Sequence, residues 1–293
     1  MERAPLEKFI ARSVGRRARG LLFLALVVPL AGFHSFEALF APRSELWPRW
    51  QAHDPAATVE IDHSAWDRLL GRYLTVVPGG VNTFAYDKVS PEDRAALDAY
   101  VAGLAGVAIS GANKARQRAY WINLYNALTV QLVLSHYPVD SIRDIDISPG
   151  FFGSGPWDKK LIQIEGEALS LNDIEHRILR PIWRDPRVHY AVNCAAIGCP
   201  NLQPTAFTAE NSEALLEAAA RAYVNHPRGV RLRDGELVVS SIYAWFAEDF
   251  GTSDAQVISH LARYANPDLA RALWRISQIE DHRYDWTLNR TGP

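Results

Sequence analysis

The sequence predicts an α+β fold, a predominantly helical single domain with a small antiparallel sheet. Apolar residues recur at helical spacing in several long segments, and short alternating segments flank turn residues. Strands and helices do not alternate regularly, which argues against a doubly wound sheet. The chain has 293 residues, 48% of them hydrophobic, and is long enough to bury a substantial core.

Residues 1–41 are predicted to be a signal peptide or an N-terminal membrane anchor. Basic residues precede an apolar run from Leu21 to Ala31, which is the order of a secretory signal. The small-residue pattern for cleavage is poor, so an uncleaved anchor stays open, although a full span of roughly 20 residues would include His34 and Glu37. We therefore expect an extracytoplasmic, periplasmic protein that is secreted or anchored to the inner membrane.

Charge separates this segment from the rest of the chain. The first twenty residues hold six basic and two acidic side chains, so the formal charge of -2 for the whole chain leaves -6 for the remainder. A mildly acidic body is not expected to bind nucleic acid. The expected partners are the membrane, through the N-terminal segment, and an unknown envelope ligand or substrate.

Residues 42–60 contain several prolines and two tryptophans with little periodicity, and are predicted to be a linker against the membrane or the domain surface.

The globular domain is predicted over residues 61–293. Its first helices are expected at Ser64 to Tyr73 and after Ser90, where Pro91 and two acids occupy the first turn. The strongest helical pattern runs from Lys114 to Tyr137.

Asn123 and Asn126 lie beside the apolar stripe of that long helix. Buried amides need hydrogen-bond partners, so the two side chains either brace a neighbouring loop or line a binding cavity. Bracing is the favoured interpretation, because most buried polar groups satisfy backbone groups.

Three strand-forming segments are predicted to build the small sheet. Leu161 to Leu169 and Val230 to Val239 have hairpin patterns with turns at Gly166 and at Asp234-Gly235, and Val188 to Asn193 alternates apolar and polar residues.

Ser170 to Asp173 has a capping-box pattern and opens a helix with Glu175 and His176. The later helices are predicted at Thr208 to Val224, from Ser240 to Gly251, at Ser253 to Tyr264 and at Pro267 to Trp274.

The chain's two cysteines, Cys194 and Cys199, follow the third predicted strand. In one interpretation Cys194 is a nucleophile, activated by His189 or His176. Glu175, Asp249 or Asn123 would then orient the imidazole. A regular strand would place His189 and Cys194 on opposite faces, so this interpretation requires a bend after Asn193.

In a second interpretation Cys194 and Cys199 form a disulfide, which is the default state of an even pair of cysteines in an exported protein. Loop entropy makes such a short-loop bond worth about 2 kcal/mol. In a third, His176, His189 and the cysteines bind zinc, but their spacing matches no standard zinc site. We therefore expect no metal and no cofactor.

Five ordered motifs over roughly residues 60 to 290 carry a family resemblance: AYWINLYNALTV (119–130), LSLNDIEHRILR (169–180), VHYAVNCAAIGCPNL (188–202), SSIYAWFAEDFG (240–251) and YDWTLN (284–289). Together they resemble the domain of unknown function 547 family, which occurs in bacterial envelope and plant proteins and has no established biochemical role. The motif positions that the resemblance carries over are Asn123, Asn126, Glu175, His176, His189, Cys194, Cys199, Pro200, Trp245 and Asp249.

Two functions of different classes follow from these observations. The first is an envelope thiol-dependent hydrolase or acyl transferase that uses Cys194 with His189 or His176, with Glu175 as a further catalytic group. The second is a non-catalytic binding module stabilised by the disulfide. In both, Asn123, Asn126, Trp245 and Asp249 are candidate binding residues, and all the candidates are expected around one cavity because scattered groups cannot form a site.

Overall fold

The computed structural model describes residues 41–149 and 155–292, and its centre is a buried helix of 23 residues, α3 (Lys114–His136). Asn113 caps this helix by accepting a hydrogen bond from the Arg116 amide. Every residue from Gln117 to Val130 is buried, so other elements surround the helix on all sides.

Nine α-helices and seven strands are present in the described residues. The helices are α1 (Ser64–Tyr73), α2 (Pro91–Ala105), α3, α4 (Arg180–Trp183), α5 (Ser212–Val224), α6 (Ile242–Trp245), α7 (Ala247–Phe250), α8 (Asp254–Tyr264) and α9 (Pro267–Leu273). The strands are β1 (Leu74–Thr75), β2 (Thr83–Phe84), β3 (Ile162–Ile164), β4 (Glu167–Leu169), β5 (Val230–Arg233), β6 (Glu236–Ser240) and β7 (Asp281–Arg283). A π-helical segment, Asp173–Leu179, leads directly into α4.

This architecture confirms the predicted α+β class, and several local predictions hold. Ser90 accepts a hydrogen bond from the Asp93 amide and caps α2. Ser170 and Asp173 form the reciprocal bonds of a capping box. The β5–β6 hairpin turns at Asp234 and Gly235, both at positive φ (54° and 87°), as a two-residue turn requires.

The predicted strand at Val188 to Asn193 is wrong. Pro186–Tyr190 forms a 3₁₀ helix capped by Asp185, whose side chain accepts from the Arg187 amide. The alternation of apolar and polar residues predicted a strand with one buried and one exposed face. Residues 188–193 are instead all buried, including the polar His189 and Asn193.

The predicted assembly of the sheet is therefore also wrong. The two hairpins lie in separate sheets: β3 and β4 form a two-stranded antiparallel sheet, whereas β5 and β6 share a mixed sheet with β7, which pairs in parallel with β6. The Thr208 to Val224 helix begins only at Ser212, since Thr208 and Asn211 bind each other in a turn before it.

Two groups of buried residues make up the core. The larger surrounds α3 and includes Trp66, Trp121 and Leu128. The smaller lies between α5, α8 and the β5–β6 hairpin. Residues 42–60, the predicted linker, lie against the domain, with Trp50 only 2% exposed and its ring 5.1 Å from that of Trp121.

The predicted signal peptide or anchor falls almost entirely on residues 1–40, which lie outside the described residues. Of the helices in residues 41–149 and 155–292, none is both long and apolar enough to cross a bilayer.

Candidate functional site

A cavity of about 590 Å³ opens where several separated segments of the chain meet. Its volume lies in the range of small-molecule binding sites. Its lining includes Pro42, Tyr125, Arg143, Trp157, Asp158, Asn172, Glu175, His176, His189, Cys194, Cys199, Trp245, Phe246, Tyr284 and Trp286.

The π-helical segment places Glu175 and His176 at this cavity. Its wider turn is closed by a hydrogen bond from the Arg180 amide to the Glu175 carbonyl, five residues back. Arg180, four residues after His176, points its guanidinium to the same place and donates to His176 Nδ1 at 2.9 Å. The π-helical segment and the first residue of α4 together supply a carboxylate, an imidazole and a guanidinium.

The 3₁₀ helix and the break between α6 and α7 supply the opposite side. His189 stacks on Phe246 with the ring centroids 4.5 Å apart and an angle of 11° between the planes. The Arg180 guanidinium lies 4.8 Å from the centre of the same Phe246 ring. Phe246, between the two short helices, thus supports both groups.

Five side chains form a closed ring of ionisable groups, which we call the charged ring: Glu175, His176, Arg180, His189 and Asp249. Asp249 accepts from His189 Nε2 at 2.7 Å and from Arg180 Nε at 2.5 Å. Glu175 closes the other side, 3.4 Å from His189 Nδ1 and 3.9 Å from His176 Nε2. His189 is therefore held between two carboxylates.

The contact with Arg180 fixes the tautomer of His176. A guanidinium can only donate, so Nδ1 of His176 accepts and its proton is on Nε2, which faces Glu175. Withdrawal from water lowers the pKa of His176 to about 4, with Arg180 acting in the same direction and Glu175 opposing it. His176 is thus neutral at pH 7.

Glu175 and Asp249 are ionised. Burial alone would raise the pKa of Glu175, but His176, His189 and Arg180 outweigh it and lower the pKa to about 2. Burial likewise opposes ionisation of Asp249, and the hydrogen bond and charge of His189 together with Arg180 hold its pKa below the ordinary value. A buried carboxylate that stays charged in a cavity is typical of a functional site.

Cys194 and Cys199 form a disulfide in the cavity wall. Residues 194–199, the cysteine loop, are held by the segment around Tyr284 to Leu288. The Ile197 and Gly198 amides donate to the Thr287 and Asp285 carbonyls at 2.7 and 2.8 Å. A Cβ at Gly198 would lie 2.8 Å from the Asp285 amide nitrogen, so this close approach requires glycine.

Four aromatic side chains form what we call the aromatic wall: Trp157, Trp245, Tyr284 and Trp286. The Trp245 and Trp286 rings are stacked with centroids 5.6 Å apart, and Tyr284 lies 4.8 Å from Trp245. Trp157 meets Trp286 edge to face at 5.6 Å. These contacts give the cavity a continuous aromatic surface.

Residues 41–47, which we call the strap, lie on the charged ring. The Pro42 carbonyl accepts from Arg180 at 2.9 Å, and the Ser44 amide donates to Glu248, a second partner of Arg180. The amides of Glu45 and Trp47 donate to the carbonyls of His176 and Arg177. The strap therefore belongs to the site rather than to a free linker.

The structure brings Glu175, His176, His189, Cys194 and Trp245 to the cavity and places Asp249 directly behind His189. It does not place Asn123 and Asn126 there. Asn123 pairs with both backbone groups of Phe207, and Asn126 with the Ala191 carbonyl and the Asn193 amide. Both brace loops, as the favoured interpretation had it.

Sequence reasoning missed Arg180, Phe246 and three members of the aromatic wall as site residues. Arg180 ends the motif at 169–180, and Tyr284 and Trp286 lie in the motif at 284–289, so their motif positions were a usable signal. Among the described residues, no group of three or more His, Cys, Asp or Glu side chains could hold a metal ion.

The fold and the cavity define an α+β domain in which an aromatic wall faces a buried ring of charges. Residues 109–224 match the model of the family described as "Protein of unknown function, DUF547", which confirms the resemblance that the sequence motifs carry. Comparisons with curated proteins and with solved structures found no match.

Proposed function

We propose that the chain is an exported envelope protein whose domain binds a small organic ligand in this cavity. The observation that supports binding is the combination, in one cavity of about 590 Å³, of the aromatic wall with the ionised carboxylate of Glu175. The disulfide favours binding over thiol catalysis, since neither cysteine is a free thiol in this state. Export is proposed from the basic and apolar N-terminal sequence alone.

The lining defines the chemistry of the ligand. Flat tryptophan and tyrosine faces bind an apolar or aromatic surface. Glu175 can only accept hydrogen bonds when ionised, so the end of the ligand at the charged ring carries a donor such as a hydroxyl or an amine. Asp158 and Asn172, bonded to each other at 2.7 Å, add further polar contacts in the same cavity.

Dye binding tests this proposal. N-phenyl-1-naphthylamine is neutral, aromatic and carries one N–H donor, so the purified protein should bind it with enhanced dye fluorescence. Trp245→Ala should weaken binding by about tenfold, because the stacked wall loses its central ring. Trp274→Ala is the matched control, since Trp274 is 65% exposed and is not a lining residue. Equal binding by both variants, or none by the native protein, would contradict the proposal.

A second candidate is a thiol-dependent hydrolase or acyl transferase, favoured because Cys194 shares the cavity with His176, His189 and Glu175. This activity requires reduction of the disulfide. With p-nitrophenyl acetate as the probe, reductant should elicit hydrolysis that Cys194→Ser abolishes and Cys199→Ser retains. Hydrolysis that is independent of reductant, or unaffected by Cys194→Ser, would exclude this candidate.

A further inference from the structure

The two sulfur atoms of the disulfide have different surroundings. Cys194 is partly exposed to the cavity, whereas Cys199 is only 3% exposed. The Sγ atom of Cys199 accepts two hydrogen bonds at 3.0 Å, from the Cys194 amide and from the Tyr284 hydroxyl. One sulfur is thus open to an incoming molecule. The other is buried and alone accepts from the Cys194 amide, while the Tyr284 hydroxyl lies within reach of both sulfurs.

Two directed donors favour negative charge on Cys199. Hydrogen bonds to a sulfur stabilise its thiolate over its thiol, and a stabilised thiolate is the better leaving group in disulfide exchange. Burial holds the pKa of Tyr284 well above its ordinary value, so its hydroxyl keeps the proton that it donates. The Tyr284 hydroxyl also lies 3.1 Å from Cys194 Sγ, so it can donate to whichever of the two sulfurs carries the negative charge.

The cysteine loop is held by hydrogen bonds that involve neither sulfur, in addition to its cross-link. Ala195, at a φ of 60°, is held by the side chain of Asn193 and by the Asn289 amide, which donates to its carbonyl. Tyr223 donates to the Gly198 carbonyl at 2.6 Å. Because these bonds do not involve sulfur, we expect them to hold the two thiols near each other after reduction, where they can form the disulfide again.

From this asymmetry we propose that the Cys194–Cys199 disulfide is redox-active and exchanges with small-molecule thiols that enter the cavity, with Cys194 as the attacked sulfur and Cys199 as the leaving sulfur. The activity goes beyond ligand binding and uses the same cavity. A cavity of this volume admits a small molecule to Cys194 rather than a folded protein.

The exchange is balanced in two steps. The thiolate of the first small thiol forms a bond to Cys194 Sγ while the Cys194–Cys199 bond breaks, and the electron pair leaves on Cys199, next to Tyr284 and the Cys194 amide. A second small thiolate attacks the sulfur of the first and displaces Cys194 as a thiolate. Two small thiols are oxidised to one disulfide, and the protein gains two electrons and, on protonation, two thiols.

The test uses the full chain with glutathione as the probe. Native protein incubated with reduced glutathione, quenched with acid and measured by intact mass, should show a mixed disulfide and then the dithiol, with an unchanged circular dichroism spectrum. Protein that stays oxidised in glutathione until denaturant is added would overturn the proposal.

Single-cysteine variants test which sulfur reacts. With glutathione disulfide, Cys199→Ser should form the mixed disulfide about tenfold faster than Cys194→Ser, because Cys194 is the accessible sulfur. Equal rates, or a faster reaction of Cys194→Ser, would overturn the assignment. The native measurement stands even if a variant does not fold.

The role of Tyr284 has its own spectroscopic measurement. In the Cys194→Ser background, Tyr284→Phe should raise the pKa of Cys199, followed by thiolate absorbance against pH, whereas Tyr120→Phe should not. Tyr120 is the matched control because its buried hydroxyl donates to the Leu104 carbonyl and to neither sulfur. An unchanged pKa in Tyr284→Phe would remove Tyr284 from the proposal. Dye binding is measured separately, so its failure and a failure of exchange are distinguishable.

Discussion

The lowered pKa values of Glu175 and His176 make the charged ring sensitive to acid. Folding lowers the pKa of His176 from 6.5 to about 4, so the stability it contributes is full above pH 6.5 and is lost as the pH falls toward 4. For Glu175, whose pKa is lowered from 4.5 to about 2, the stability is full above pH 4.5 and is lost as the pH falls toward 2.

We therefore expect the free energy of unfolding to fall in two stages on acidification, first between pH 6.5 and 4 and then below pH 4.5. Denaturant titration at a series of pH values measures this. His176→Gln should reduce the first stage, since Gln does not titrate, while His260, whose pKa burial also lowers to about 4, keeps part of it. The second stage should shrink as well, because His176 helps to lower the pKa of Glu175. If the free energy of unfolding falls as much between pH 6.5 and 4 in His176→Gln as in the native protein, groups other than His176 cause the first stage.

Asn126 is expected to contribute to stability through the loop it braces. Asn126→Ala leaves the Ala191 carbonyl and the Asn193 amide unpaired in a buried position, which should lower the free energy of unfolding by about 2 kcal/mol. Asn225→Ala is the control, because Asn225 also binds backbone groups but is exposed, and water can replace it. Similar losses in the two variants would contradict the argument from burial.

For single residues, the sequence predicted which residues are important better than it predicted the contacts that they make. The amides of Asn123 and Asn126 beside an apolar stripe were enough to predict loop bracing. Arg180 was not found, because an arginine at the end of a helical motif is normally a surface residue. In the structure its side chain is only 1% exposed, and its carboxylate partners lie 68 and 69 positions later in the sequence.

Among the elements, the cysteine loop gives the clearest test of stability. Cys194→Ala and Cys199→Ala should each lower the free energy of unfolding by about 2 kcal/mol, since each removes the same short cross-link. Denaturant titration with and without reductant measures this. Reductant should destabilise the native protein by a similar amount and leave both variants unchanged. A loss much larger in one variant would mean that packing, rather than the cross-link, dominates there.

Element prediction succeeded where local chemistry decides the structure and failed where tertiary packing does. The turn at Asp234-Gly235 and the caps at Ser90 and Ser170 use interactions within a few residues. The segment from Val188 to Asn193 has the alternation of a strand, but its surroundings bury all of its side chains. The pairing of β6 with β7 was not predicted, because it joins segments about 40 residues apart in the sequence.

For the whole molecule, the location of the domain is the main prediction. If residues 1–41 direct export, alkaline phosphatase fused after Pro42 should be active in cells, and β-galactosidase fused at the same position should not. The opposite pattern would place the domain in the cytoplasm. Alkaline phosphatase fused after Gly20, which precedes the apolar run, is the matched control and should be inactive.

The site extends well beyond the segment that matches the family model. Residues 109–224 supply Glu175, His176, Arg180, His189 and both cysteines, whereas Asp249 and most of the aromatic wall come from later in the chain. The sequence motifs at 240–251 and 284–289 indicated that these regions belong together, but only the folded chain brings Asp249 within 2.7 Å of His189.

The strap gives this molecule a built-in reporter. The amide protons of Ser44, Glu45 and Trp47 are bonded to Glu248 and to the carbonyls of His176 and Arg177, so they exchange with deuterium only when residues 41–47 lift from the domain. Deuterium uptake at these three positions therefore reports how often the strap leaves the segment that carries the charged ring, with no attached probe and no known ligand.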